Sequence, residues 1–111
     1  MFQTTHLPQT LTPKREEVDA LAGATMLEFG TPWCPHCQGA QPLIEQALAG
    51  HAGVRHVKVE DGKGQRLGRS FAVKLWPTLI FLRDGQELAR LVRPGQAQDI
   101  AQALDLIQAA R

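Results

Sequence analysis

Apolar residues along this chain switch between two spacings, and the switches mark out its elements. The short run ATMLEFG, residues 24–30, is nearly all apolar, which predicts a buried strand ending at Gly30. From residue 34 to 49 the period changes: Ala40, Leu43, Ile44, Ala47 and Leu48 recur at helical spacing, with Gly50 as the stop. Pro42 falls inside that pattern and predicts a kink. VRHVKVE, residues 54–60, is β-branched and predicts a second strand, and residues 65–71 predict a short helix. PTLIFLRDGQELARLV, residues 77–92, predicts a hairpin turning at Asp84-Gly85. The chain closes with an amphipathic helix over residues 95–110, carrying Ile100, Ala103, Leu104 and Ile107 on one face. Before all of these, LTPKREEVDALAG predicts a helix with Thr12 as N-cap, Pro13 at the first position and Gly23 as the stop. An early βαβ followed by an antiparallel hairpin implies an α/β sandwich with a mixed sheet.

Composition narrows the picture. At 111 residues and 43% hydrophobic, the chain suits a single domain, residues 1–111, around one core. A net charge of +1 argues against a nucleic-acid binder. The richest basic run, residues 58–74, also contains Glu60 and Asp61, so it is expected to be a solvated surface. The N-terminus lacks a basic start followed by an apolar run, and no apolar stretch approaches the ~18 residues of a membrane span. A cytoplasmic protein that acts away from membranes is therefore expected.

Both cysteines, Cys34 and Cys37, lie in TPWCPHCQGAQP. A bridge closing so small a loop constrains the unfolded chain little, so stapling is a poor reason for the pair. A metal site has a better claim, because Cys34, Cys37, His51 and His56 are spaced C-x2-C-x13-H-x4-H. The expected helix between them speaks against it. That helix places His51 about 20 Å from Cys34, whereas four zinc ligands must converge to about 2.0–2.3 Å from one ion. No metal or cofactor is expected. His6 and His51 receive no role.

Redox chemistry fits the context. A thiol reacts as its thiolate, and the N-terminus of a helix favours anions. Cys34 stands there as nucleophile, and Cys37, one turn on, can resolve a mixed disulfide formed at Cys34. Pro35 suits a first-turn position that needs no N–H. His36, if close and protonated, would tune the thiolate.

FGTPWCPHCQGAQP resembles the active-site segment of the thioredoxin superfamily, in which W-C-x-x-C follows a strand and opens a helix. The likeness spans roughly residues 20–110 and includes Pro42 and WPTLIFLRDGQE. It implies a three-layer sandwich, with a central mixed sheet of four to five strands flanked by helices. It further implies that Pro77 is cis and packs against both cysteines, with Trp33, Trp76 and Pro77 lining the substrate surface. Trp76 is larger than the family's usual residue there. Glu28 stands where the family has a buried Asp of raised pKa that takes the proton from the second thiol, so the resemblance assigns it that role toward Cys37. His56 matches a neighbouring lysine, which raises a Glu28–His56 pair as one reading, although a partly exposed strand histidine is expected. Arg93 replaces a glycine near the groove, so the loop there departs from the family pattern.

Pro35-His36 resembles strongly oxidising thiol oxidases, whereas Glu28 and the bare fold resemble thioredoxin. The expectation is a protein-disulfide oxidoreductase somewhat more oxidising than ordinary thioredoxin. It would act as a monomer on protein thiols and disulfides, with a partner such as a reductase. The alternative is an interaction or metal-binding module of the same fold with little redox activity.

Overall fold

The computed structural model describes residues 12–109; residues 1–11, with His6, and residues 110–111 lie outside it. In chain order the elements are α1 (Arg15–Asp19), β1 (Ala24–Gly30), α2 (Pro35–Ala49), β2 (Arg55–Glu60), α3 (Arg66–Ser70), β3 (Thr78–Arg83), β4 (Gln86–Val92) and α4 (Ala97–Ala109). The four strands form one sheet in the order β2-β1-β3-β4. β1 runs parallel to β2 and antiparallel to β3, and β3 is antiparallel to β4. This is the mixed sheet expected from a βαβ unit followed by a hairpin.

Strand periodicity sorts the core into two layers. On one face Met26, Leu79 and Phe81 meet Ile44 and Leu48 of α2 and Ile100, Leu104 and Ile107 of α4. On the other, Leu27, Phe29, Val59, Ile80 and Leu82 meet Val18 of α1, Leu67 of α3 and Phe71. Because β1 is covered on both sides, all seven of its residues are buried, which is why its sequence shows no alternation. By the same alternation Glu28 falls on the α2 face, beside Met26.

Two boundaries depart from expectation. α1 starts after Lys14 rather than Thr12, because the Glu17 carboxylate accepts the Lys14 backbone N–H at 2.8 Å and closes the helix start there. It also ends at Asp19, well short of Gly23, which instead adopts φ +81° and exchanges hydrogen bonds with Asp84. At the far end of α2, Gly50 is not left-handed (φ −90°). His51 closes that end: its Nδ1 donates to the Ala47 carbonyl at 2.8 Å and its Nε2 to Asp105 of α4 at 2.6 Å. Two acceptors require both ring nitrogens to carry protons, and Asp105 accordingly raises the His51 pKa.

Asp84 and Gly85 both have positive φ (52° and 81°), the pair a two-residue hairpin turn requires. Gly85 also comes so close to the Asp19 backbone that a Cβ would collide with it.

Candidate active site

β1 ends at Gly30, and a short turn carries the chain to Cys34, whose N–H donates to the Thr31 carbonyl at 3.4 Å. Cys34 is the N-cap of α2. Its extended backbone (φ −81°, ψ 119°) and the following Pro35 are what a helix start requires. In place of the usual cap hydroxyl or carboxylate, Cys34 Sγ accepts the Cys37 N–H at 3.2 Å. Gln38 braces the preceding turn by donating from Nε2 to the Pro32 carbonyl at 2.9 Å.

The two thiols are inequivalent. Both are free; Cys34 is 8% exposed and Cys37 2%. Burial pushes the Cys37 thiol up to about 12, and the Cys34 sulfur and the Glu28 charge push the same way. Cys34, on the helix cap and the less buried of the two, is placed to react first.

Glu28 has no solvent exposure, yet it is fully partnered. In the parallel register Met26 lies opposite His56 and Glu28 opposite Lys58, so His56 and Lys58 share the face that α2 covers. His56 Nε2 donates to Glu28 Oε1 at 2.8 Å, and Gln41 Nε2 donates to Oε2 at 2.7 Å. Gln41 Nε2 also donates to the Cys37 carbonyl at 3.1 Å, while its Oε1 accepts from Lys58 Nζ at 3.1 Å. Only one orientation of the Gln41 amide satisfies these contacts, because its flip would set oxygen against two acceptors.

The raised pKa implied for Glu28 is reversed. Burial alone drives the carboxyl up and is the largest single influence. The His56 and Gln41 hydrogen bonds, with the Lys58 and His56 charges, together outweigh it and hold Glu28 below the ordinary carboxylate value. The His56 side chain is 4% exposed and paired with Glu28, while the residue as a whole keeps partial exposure on its strand. Lys58 is buried rather than solvated.

Gln41 and Lys58 were missed in the sequence. Gln41 stands one helical turn after Cys37, and Lys58 two residues after His56 on the same strand face, so each had a spacing signal.

The remaining residues flank this centre. The Trp76–Pro77 peptide bond is cis. Pro77 precedes Thr78, which pairs with Phe29 near the end of β1, so the bond sits at the sheet end that leads to Cys34. Trp76 is half-buried and its indole N–H donates to Asp61 at 2.9 Å. Trp33 is 66% exposed beside Cys34, and His36 is exposed in the first turn of α2. The histidines of the zinc-type spacing go separate ways, His51 to Asp105 and His56 to Glu28. Among the described residues no group of three or more His, Cys, Asp or Glu is arranged to hold a metal. No helix among them is long and apolar enough to cross a membrane.

A mixed sheet whose central strand delivers one cysteine to a helix cap and a second to the next turn defines a dithiol protein. Comparison with known proteins places it further: the thioredoxin family model matches residues 9–106, and the chain belongs to that family. Among solved structures it is similar to thioredoxin 2 from Pseudomonas aeruginosa PAO1 in its reduced form, at 53% identity and a TM-score of 0.83, covering 96% of this chain and 97% of that one. It is 37% identical over 87 residues to protein disulfide-isomerase A2 of Pongo abelii, covering 73% of this chain but only 17% of that protein. It is 23% identical to thioredoxin Asp f 28 of Aspergillus fumigatus, covering 79% of this chain and 82% of that one.

Proposed function

We propose that this chain is a thiol–disulfide oxidoreductase that exchanges disulfides with protein substrates through Cys34 and Cys37. The observation that carries the reading is the asymmetry of the pair, with Cys34 capping α2 and Cys37 buried behind it with its thiol pushed up to about 12. In the reducing direction the Cys34 thiolate attacks a substrate disulfide, the substrate S–S bond breaks, and one substrate sulfur leaves as thiolate. Of the influences that hold Cys37 protonated, two come from Cys34. They weaken once the Cys34 sulfur is tied up in a mixed disulfide. Cys37 then gives its proton toward Glu28 and attacks Cys34 Sγ, expelling the second substrate thiolate. The pair has lost two electrons and the substrate has gained them. An unidentified donor such as a reductase restores the dithiol, and the reverse sequence oxidises a substrate dithiol.

The reading includes a potential more oxidising than ordinary thioredoxin. Its support is the Pro35-His36 pair, which puts an imidazole on the same helix end as Cys34. Anything that favours a thiolate there stabilises the reduced form. Trp33 and Trp76 with Pro77 are the proposed substrate surface. The cytoplasmic setting expected from the sequence belongs to the same proposal, and cell fractionation tests it.

The decisive experiment is the equilibrium reduction potential, read from Trp33 fluorescence in defined thiol–disulfide buffers. A value above thioredoxin's roughly −270 mV is expected. A lower value would overturn the oxidising half, and a pair that never forms an internal disulfide would overturn the whole reading.

A further inference from the structure

Arg93 follows β4 directly and adopts a left-handed backbone, φ +52°, a conformation that side chains beyond glycine rarely take. Two hydrogen bonds hold it there. Its backbone N–H donates to the Pro77 carbonyl at 2.9 Å, and its guanidinium Nε donates to the Trp76 carbonyl at 2.8 Å. Both acceptors belong to the residues of the cis peptide bond.

Trp76 is fixed from another direction as well, through its indole N–H on Asp61, whose own backbone N–H donates to Gly30 at 3.0 Å. A chain of bonds therefore runs Gly30, Asp61, Trp76, Arg93 across one end of the sheet. It is the end where β1 turns toward Cys34, because Phe29, Thr78 and Val92 lie side by side across β1, β3 and β4.

Arg93 is exposed, and no carboxylate among the described residues pairs with it. Arg90, three residues earlier, is by contrast spent on Glu87, with contacts of 2.6 and 2.8 Å. One nitrogen of the Arg93 guanidinium is committed to the wall, and its two terminal nitrogens remain available. A planar fork with that edge free is the shape that takes a carboxylate on two parallel N–H groups. Because Nε is already clamped, less side-chain freedom is lost on binding than for a free surface arginine.

The surroundings suit the same occupant. The residues adjoining the bonded pair, Leu75 and Val92, are exposed apolar side chains, as is Trp33 next to Cys34. Lys63, Arg69 and Lys74, with Asp61, line a cavity of about 250 Å³. Three cations against one carboxylate give that cavity wall a basic excess.

We propose that Arg93 forms a carboxylate-binding subsite, which selects polypeptide disulfides carrying an Asp or Glu side chain next to the reacting cysteine. The inference rests on the exchange activity proposed above and names the substrate class that activity prefers. Arg93 acts here on recognition, through a salt bridge to substrate, and takes no part in the transfer of electrons.

Three short peptides test it, each closed by one disulfide and differing only in Glu, Gln or Lys beside one cysteine. Their single-turnover reduction is followed by Trp33 fluorescence. The wild type is expected to prefer the Glu peptide over the Gln peptide by about two- to fivefold, with the Lys peptide slowest. In Arg93→Gln that preference falls to about one, and Arg93→Lys restores part of it. Arg93→Gly, which relaxes the left-handed backbone, also abolishes the preference, so a folding defect cannot account for the loss. Equal wild-type rates on the Glu and Gln peptides, or a preference that survives in Arg93→Gln or Arg93→Gly, would overturn the subsite alone. A wild type that reduces none of the three peptides would overturn the exchange reading, and the subsite with it.

Discussion

Replacing Glu28 by Gln keeps the shape of the side chain and removes its charge, so it isolates what the carboxylate does for Cys37. Two consequences oppose each other. Without the Glu28 charge, one of the influences that keeps the Cys37 thiol protonated disappears, and the thiol becomes more acidic. The group proposed to receive its proton is lost at the same time. A positioned general base contributes about 10^2–10^4 in rate, and a base held below the ordinary carboxylate value lies at the weak end of that range. Resolution of the mixed disulfide should therefore slow by about 100-fold, with some of that offset by the more acidic thiol.

The fold should survive the change. A Gln can still accept from His56, so the cost resembles a damaged buried hydrogen bond, about 1–3 kcal/mol, against a typical domain stability of about 5–15 kcal/mol. The assay is single-turnover quenched flow, with attack by Cys34 and resolution by Cys37 counted as separate species by mass spectrometry. Resolution within about threefold of wild type in a folded Glu28→Gln protein would refute the assignment of Glu28 as proton acceptor. The linkage provides a second check. Because the Glu28 pKa is lowered on folding, its stabilisation is present above the ordinary value of 4.5 and is lost as pH falls through the folded value. The stability gap between wild type and variant should therefore hold from neutrality down to about that pH and close only below it.

Gln41→Leu removes the amide that joins Glu28, Lys58 and the Cys37 carbonyl. The Glu28 carboxyl should rise, moving the acid limb of the exchange rate to higher pH, as a carboxyl titration by NMR would register. His51→Ala loses the cap on α2 and its tie to α4, at a cost of about 1 kcal/mol, read by urea unfolding. The His51 pKa is raised on folding, so the loss should be full below the ordinary 6.5 and shrink as pH climbs through the folded value. Gly85→Ala forces a Cβ into the Asp19 backbone from a left-handed position and should destabilise by about 1–3 kcal/mol. Its reduction potential should stay at the wild-type value, because the hairpin turn lies at the sheet end opposite Cys34.

How much of this could be read from residues alone depends on how local the governing interaction is. The strand at residues 24–30, the helix opened by Cys34 and the Asp84-Gly85 turn are set by short-range pattern, and each appears where that pattern puts it. The start of α1 is local too, yet two signals competed there. Thr12-Pro13 lost to Glu17, because the carboxylate closing on the Lys14 N–H satisfies a helix donor two residues later. The chemistry of Glu28 is a different matter. Its identity in an apolar strand marks it as out of place, but its ionisation depends on neighbours from α2 and β2, 13 residues away at Gln41 and 28 at His56. A lone buried carboxylate would be driven up; the same carboxylate between His56, Lys58 and Gln41 is driven down. What decides between them is the parallel register that sets Glu28 beside Lys58, and the helix that lays Gln41 over both. Arg93 follows the same logic. Its residue type says only that a cation stands after a strand. The left-handed turn and the Trp76 carbonyl fix one edge of its guanidinium and leave the terminal nitrogens open.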